Sequence, residues 1–134
     1  MKTLGKFVNA TAQAATDGNP ITFNTTKYCP KYFDYAANGT ITFKKTGTYM
    51  IFANFTTTAT ATGGQVIYTY ENNVEVPGAS GEWTAATIGD TGNMAFTTVS
   101  TVKVAPYGTT ATLTFEPLND MTINTANVII VLVD

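Results

Sequence analysis

Apolar and polar residues alternate with period two along most of the chain, the pattern a half-buried β-strand imposes because successive side chains leave opposite faces. Ile41 and Phe43 alternate with Thr40, Thr42 and Lys44. After the Thr46-Gly47 break, Tyr49, Ile51, Ala53 and Phe55 continue the alternation, and the two stretches read as antiparallel strands. Val66, Tyr68 and Tyr70 form the next strand, followed by a turn at Glu71-Asn72-Asn73, residues that tolerate left-handed conformations. Val74 then opens a return strand that Pro77-Gly78 is expected to end, leaving residues 78–92 as a loop with at most a short strand around Trp83 to Ile88. Three more strands follow: Met94 to Val104, Ala111 to Phe115, and Asn127 to Val133 after a turn at Pro117 to Asp120. Ala10 to Ala15 is the one piece with helical character, and its Thr and Gln suit an edge strand equally well. About eight to ten antiparallel strands with turn chemistry between them predict an all-β sandwich or barrel, as one domain spanning residues 1–134.

Two strands depart from simple alternation. Val128 to Val133 is apolar at every position, and Tyr49 to Ala53 nearly so. In a two-layer sandwich one face of a strand packs on the other sheet and the second meets water, so two apolar faces call for a second partner. Oligomerisation supplies one; a loop or terminal segment folded over that face is the alternative. Tyr49, Ile51, Phe52, Phe96, Ile129, Val131 and Val133 are therefore candidates for core and interface together.

Composition removes whole classes of chemistry. The seven cationic residues are all Lys, and the chain has no Arg and no His. Ser-His or Cys-His nucleophile pairs, imidazole metal ligands and bidentate guanidinium forks are excluded. A net charge of −2 gives no basic footprint for nucleic acid. The longest apolar run, six residues from Val128, is far short of the roughly 20 that cross a bilayer, so no membrane insertion is expected. Thr occurs 28 times against two Ser, a bias that suits pleated strands with polar outer faces. Four Asn-x-Thr sequons, at Asn9, Asn24, Asn38 and Asn54, follow from that composition. The single Cys29 cannot form an internal disulfide, and Met1 to Phe7 lacks a signal-like apolar stretch; synthesis in a reducing cytoplasm is the expectation.

Reactive constellations are sparse, and neither an enzyme, a metal nor a cofactor is expected. Asp34 with Glu82 or Glu116 is the one carboxylate pairing that could face a sugar. Glu116, Asn119 and Asp120 carry oxygens suited to calcium, but a turn uses the same residues for its own backbone bonds. Aromatic residues offer more. Tyr28, Tyr32, Phe33 and Tyr35 crowd eight residues around Pro30, and Trp83 lies in a Gly- and Ser-containing segment; Tyr28, Tyr32, Tyr35 and Trp83 are candidate ligand or partner contacts, or else plugs of the sandwich end.

The run Asn38-Gly39-Thr40-Ile41-Thr42-Phe43-Lys44-Lys45-Thr46-Gly47-Thr48-Tyr49-Met50-Ile51-Phe52 resembles the signature of C1q/TNF-like jelly rolls: an aromatic-ended strand, a Gly, then an aromatic-rich strand. Ala14 to Phe23, Glu71-Asn72-Asn73-Val74 and Tyr107 to Leu113 resemble further landmarks in the same order. The Thr-rich, Cys-poor character is similar to bacterial and phage versions, such as the terminal domain of spore-surface collagen-like glycoproteins, although no Gly-x-y repeat is present. The resemblance implies a homotrimer, with the sheet of the first, third, sixth and last strands on the three-fold axis. The expected function is a non-enzymatic protein of a bacteriophage virion surface, a head-fibre, decoration or tail-tip trimer that binds a capsid or tail protein and a host-surface glycan. A carbohydrate- or receptor-binding module and a spore-surface structural domain are the alternatives. Residues 1–7, with Lys2, Leu4, Lys6 and Phe7, are the expected particle anchor, or else an early first strand.

Overall fold

A computed structural model describes residues 2–104, 108 and 111–133. All regular structure in it is β. Eleven strands follow in order: β1 (Lys2–Asn9), β2 (Gln13–Ala15), β3 (Thr25–Tyr28), β4 (Phe33–Tyr35), β5 (Ile41–Phe43), β6 (Gly47–Ala59), β7 (Gly63–Glu71), β8 (Val74–Ala85), β9 (Thr91–Val102), β10 (Ala111–Pro117) and β11 (Met121–Leu132). They form two antiparallel sheets facing each other. One has the order β3-β1-β11-β6-β9, with β2 also paired to β11; the other has the order β4-β5-β10-β7-β8.

This arrangement resolves the two-faced strands. In β11, Val128, Ile130 and Leu132 point into the core, while Ile129 and Val131 do not join it, nor does Val133 just beyond the strand. In β6, Tyr49, Ile51, Ala53 and Phe55 point inward, leaving Met50, Phe52 and Asn54 outside. The core is an aromatic chain that links both sheets. Phe7 meets Phe23 at 6.1 Å and Phe33 at 6.2 Å between ring centroids, Phe23 meets Phe115 at 6.4 Å, and Phe115 meets Phe55 at 5.6 Å. At one end Tyr49 sits 4.9 Å from Phe43 and donates its hydroxyl to the Lys45 carbonyl at 2.7 Å. Tilted and edge-to-face rings at these separations add to the area term that dominates core stability.

Several sequence expectations need correction. β5 and β6 are consecutive but belong to different sheets, so they do not pair with each other. Residues 78–92 are not a loop: β8 continues through Pro77 to Ala85. Pro77 is tolerated because β8 is an edge strand, where a missing N–H removes no ladder bond on the open side. The ladder adjusts by a register shift between Tyr68 and Tyr70. Of the two readings of Ala10 to Ala15, helix or strand, the structure shows the strand, the short β2. Residues 1–7 are not a free arm. β1 lies between β3 and β11, Leu4 and Phe7 are buried, and Phe7 is the hub of the aromatic chain. The Asn72-Asn73 turn is as expected: both residues have positive φ, 50° and 65°, between the paired Glu71 and Val74, the twist a two-residue hairpin requires. Of the Tyr107 to Leu113 landmark, Tyr107, Thr109 and Thr110 lie outside the described residues.

Burial raises the Tyr49 hydroxyl to a pKa of about 12, with a smaller contribution from nearby Tyr32. The folded chain therefore holds a proton that the unfolded chain gives up at the ordinary phenol value of 10.0. Stability from this group is fully present below pH 10 and is lost as pH rises toward about 12. Tyr49→Phe should flatten that alkaline decline in urea unfolding, while costing about 1 kcal/mol at neutral pH through loss of the bond to Lys45.

Candidate functional site

Three regions bear on function: the outer face of the first sheet, the aromatic end near Tyr32, and the surface of the second sheet. The outer face of the first sheet is built by its three middle strands. Met50 and Phe52 of β6 stand beside Val131 and Ile129 of β11 through the pairings Val131↔Met50 and Ile129↔Phe52. Phe52 is 38% exposed, Ile129 half-buried and Val131 almost covered by its neighbours. Val99 of β9 and Val133 beyond β11 continue the apolar surface outward. Toward the other end of the same strands the face turns polar, with Asn54, Thr56, Thr125 and Asn127 in place of aliphatics. A Thr56–Thr125 hydroxyl pair at 2.6 Å bridges the strands there.

The seven residues expected at core and interface thus divide. Phe52, Ile129, Val131 and Val133 occupy the outer face. Tyr49 and Ile51 are fully buried, and Phe96 packs inward on Phe55 and Phe115, so these three serve the core.

The candidate contact residues divide as well. Tyr28 stacks on Phe7 at 5.6 Å with 16° between ring planes. The Tyr35 hydroxyl accepts from Phe23 N–H at 2.7 Å and donates to its carbonyl at 3.2 Å, and burial raises its pKa. Both therefore plug the sandwich end. Trp83 belongs to β8, lies against the core, and donates its indole N–H to the Thr57 hydroxyl at 2.8 Å. Its ring rests on Gly92, where a Cβ would come within 2.2 Å of the indole. Tyr32 alone keeps a partner at the surface, the Lys45 ammonium 5.3 Å from its ring.

Lysines gather around Tyr32, with Asp34 two residues along the chain and Glu71 beside Lys103. Lys44 donates to the Pro30 carbonyl next to Lys31, and Lys103 follows the end of β9, which pairs with the start of β6. At the far end of β6, Ala59 N–H bonds Asp90, Thr60 bonds Asp120, and Asp120 accepts from Asp17 N–H. The 13 residues of β6 separate the lysines from these aspartates by about 40 Å. Of the expected anchor residues, Lys6 presents an exposed side chain, Leu4 and Phe7 are buried, and Lys2 lies in β1.

The carboxylate pairings fall apart in space. Asp34 on β4 and Glu82 on β8 sit at opposite edges of the second sheet, four strand spacings or about 19 Å apart, and Glu116 on β10 accepts a hydrogen bond from Thr114. Glycosidic chemistry needs carboxyls within about 10 Å. In the Pro117 to Asp120 turn, the Asn119 amide bonds Gln65 and the Asp120 carboxylate bonds the Asp17 backbone, so both side chains serve the fold. Among the described residues, no three His, Cys, Asp or Glu side chains gather in a metal-binding arrangement.

No protein-family model matches the chain, and no curated protein matches it in sequence. Solved structures do match in shape. The TNF Eiger from S. frugiperda superposes with a TM-score of 0.74 over 100% of this chain and 94% of its own, at 8% identity. The globular domain of the zebrafish complement 1qA protein superposes with a TM-score of 0.70 over 99% of this chain and 98% of its own, at 14% identity. The fold is the C1q/TNF-like jelly roll. In this jelly roll the sheet β3-β1-β11-β6-β9 is the one whose outer face is apolar, while the other sheet turns Tyr68, Tyr70 and Glu116 outward. Sequence reasoning missed that Trp83 is held by Gly92; a Gly placed opposite a lone Trp was the only available signal.

Gly92→Ala should lift the indole from its seat and break its bond to Thr57. Because Trp83 is the only Trp, its fluorescence should shift to the red, and thermal unfolding should register a loss of about 1–3 kcal/mol.

Proposed function

We propose that the chain is a non-enzymatic structural subunit that acts as a homotrimer, with the outer face of its first sheet around the three-fold axis, on the surface of a bacteriophage virion. The observation that carries this reading is the uncharged outer stretch Met50, Phe52, Ile129, Val131 and Val133, on the two central strands of a sheet whose inner face already fills the core. An apolar patch in that position favours burial against copies of itself over exposure to water. The virion setting is supported by the sequence: a Thr-rich, sparsely charged chain that resembles the bacterial and phage versions of this jelly roll. With Leu4 and Phe7 committed to the core, attachment to an acidic particle surface falls to the lysine-bearing end, Lys31, Lys44, Lys45 and Lys103. A host-surface glycan or receptor reading rests on Tyr32, whose ring packs partly buried against the core with the Lys45 ammonium over its other side.

Sedimentation at micromolar concentration tests assembly, and co-sedimentation with particles produced by the host tests the setting. A native chain that sediments as a monomer defeats the trimer, and purified particles without the protein defeat the virion role. Ile129→Asp, on the outer face, should give a folded monomer with unchanged β-type circular dichroism. Ile130→Asp, one residue away on the inner face, should instead abolish folding, since an unpaired charge in the core costs several kcal/mol. Tyr32→Ala should leave the trimer intact and weaken partner binding by about 1–3 kcal/mol.

A further inference from the structure

We propose that the outer face of the second sheet, centred on Tyr68 and Tyr70, docks an extended basic segment of a partner protein. The proposal is independent of the trimer, which leaves this sheet turned away from the three-fold axis. Charge in the chain is sorted by sheet. The strands of the second sheet hold five carboxylates, Asp34, Glu71, Glu75, Glu82 and Glu116, and no lysine. Those of the first hold Lys2, Lys6 and Lys27 and no carboxylate. Glu71 is taken by the Ser100 hydroxyl, which leaves the other four acids to the surface of the sheet. Like charges gathered on one face repel one another in the free protein, and a cationic partner relieves that repulsion.

Two rows of side chains at the centre of the face have the same make-up. In the first, Tyr68 of β7 stands between Glu116 of β10 and Ser80 of β8. In the second, Tyr70 stands between Thr114 and Glu75. Each row therefore holds a ring, a carboxylate and a hydroxyl. Tyr68, Tyr70 and Glu116 are half-buried and Glu75 is exposed, so the sheet steadies the rings and leaves them open to a ligand. The Thr114 hydroxyl donates to the Glu116 carboxylate at 2.9 Å and holds it in place across from Tyr68. Burial, and after it Glu116, Glu75, Tyr68 and Asp17, raise the Tyr70 phenol above its ordinary pKa, which marks the negative surroundings of this ring. A cation over such a ring gains the attraction of the aromatic face and of the carboxylate together. The two rings lie two residues apart on β7, about 7 Å, which is also the repeat of every second side chain in an extended chain. Lysine or arginine at alternate positions of an extended segment therefore meets one row each. A neutral sugar stacks on the rings but leaves the carboxylates without a counter-charge, and an anionic one is repelled.

Fluorescence anisotropy of a labelled octapeptide of alternating Arg and Ser, titrated with the full chain in physiological salt, tests the docking. The native chain should bind it. Tyr70→Ala and Glu116→Gln should each weaken binding about two- to fivefold. Tyr70→Phe should retain it, because the ring rather than the hydroxyl makes the contact, and Asp90→Asn, in the turn before β9, should change nothing. Unchanged β-type circular dichroism identifies variants that keep the fold; should Tyr70→Ala lose it, Tyr68→Ala takes its place. Equal losses for Glu116→Gln and Asp90→Asn with none for the tyrosine variant mean diffuse attraction to an acidic chain and overturn the proposal, as does a native chain that leaves the peptide unbound. Binding of maltoheptaose instead of the peptide, lost in Tyr70→Ala, assigns the face to a sugar and overturns it too. A native chain that sediments as a monomer yet binds the peptide in the expected pattern removes the trimer and leaves this surface standing.

Discussion

From Val128 to Leu132, strand β11 has no polar face to offer water, and the rest of the molecule is arranged around that constraint. Its inner side chains require the whole width of the second sheet as a lid, and β1 and β6 flank it along almost its full length so that no ladder bond is left open. The strand therefore occupies the centre of its sheet, with the edges left to β3 and β9. Its outer side chains join Met50, Phe52 and Val99 in an apolar stretch of the sheet's outer face, of which Phe52 and Val99 are exposed.

The second sheet meets that demand with the rings of Phe33, Phe43 and Phe115 together with Ile41, Ile67 and Leu113. Phe115 touches both Phe23 and Phe55, and Phe7 touches Phe23, Phe33, Tyr28 and Tyr35, so one connected set of aromatics runs from β1 through the core to the segment around β4. This explains why residues that look like a binding loop in the sequence act as packing. A Tyr whose ring lies on Phe7, or whose hydroxyl spans the Phe23 backbone, has spent its recognition chemistry inside the domain. Tyr32 also packs partly buried against the core, but it lies at the rim, where the Lys45 ammonium stands over its ring.

The sequence carried the class of fold and most strand positions because period-two alternation is a local property. Tyr49 to Phe55, Val66 to Tyr70 and Ala111 to Phe115 can be read one residue at a time, and the Asn72-Asn73 turn announces itself by residues that accept positive φ. What was hidden is non-local. Whether Pro77 ends a strand depends on whether β8 is an edge, and whether Lys2 to Phe7 is an arm or a strand depends on the free edges of β3 and β11. Alternation also could not say which face of β11 or β6 looks outward, so the expected interface mixed Tyr49 and Ile51 with Phe52 and Ile129. The Asn54–Asn127 pairing was invisible for a related reason: the two are 73 residues apart and meet only through the β6–β11 register.

Lys31, Lys44, Lys45 and Lys103 at one end of β6 and Asp17, Asp90 and Asp120 at the other give each chain a dipole component along its strands, which Asp34 and Glu71 at the lysine end reduce. Copies related by rotation about an axis parallel to the strands keep the same sense, so their axial components add while their transverse components cancel. In the proposed assembly the lysine-bearing rim around Tyr32 and Lys45 is the end that a negatively charged surface would attract. Its orientation on arrival then depends on ionic strength, because the aligning torque fades once the Debye length, about 8 Å in physiological salt, is short compared with the molecule.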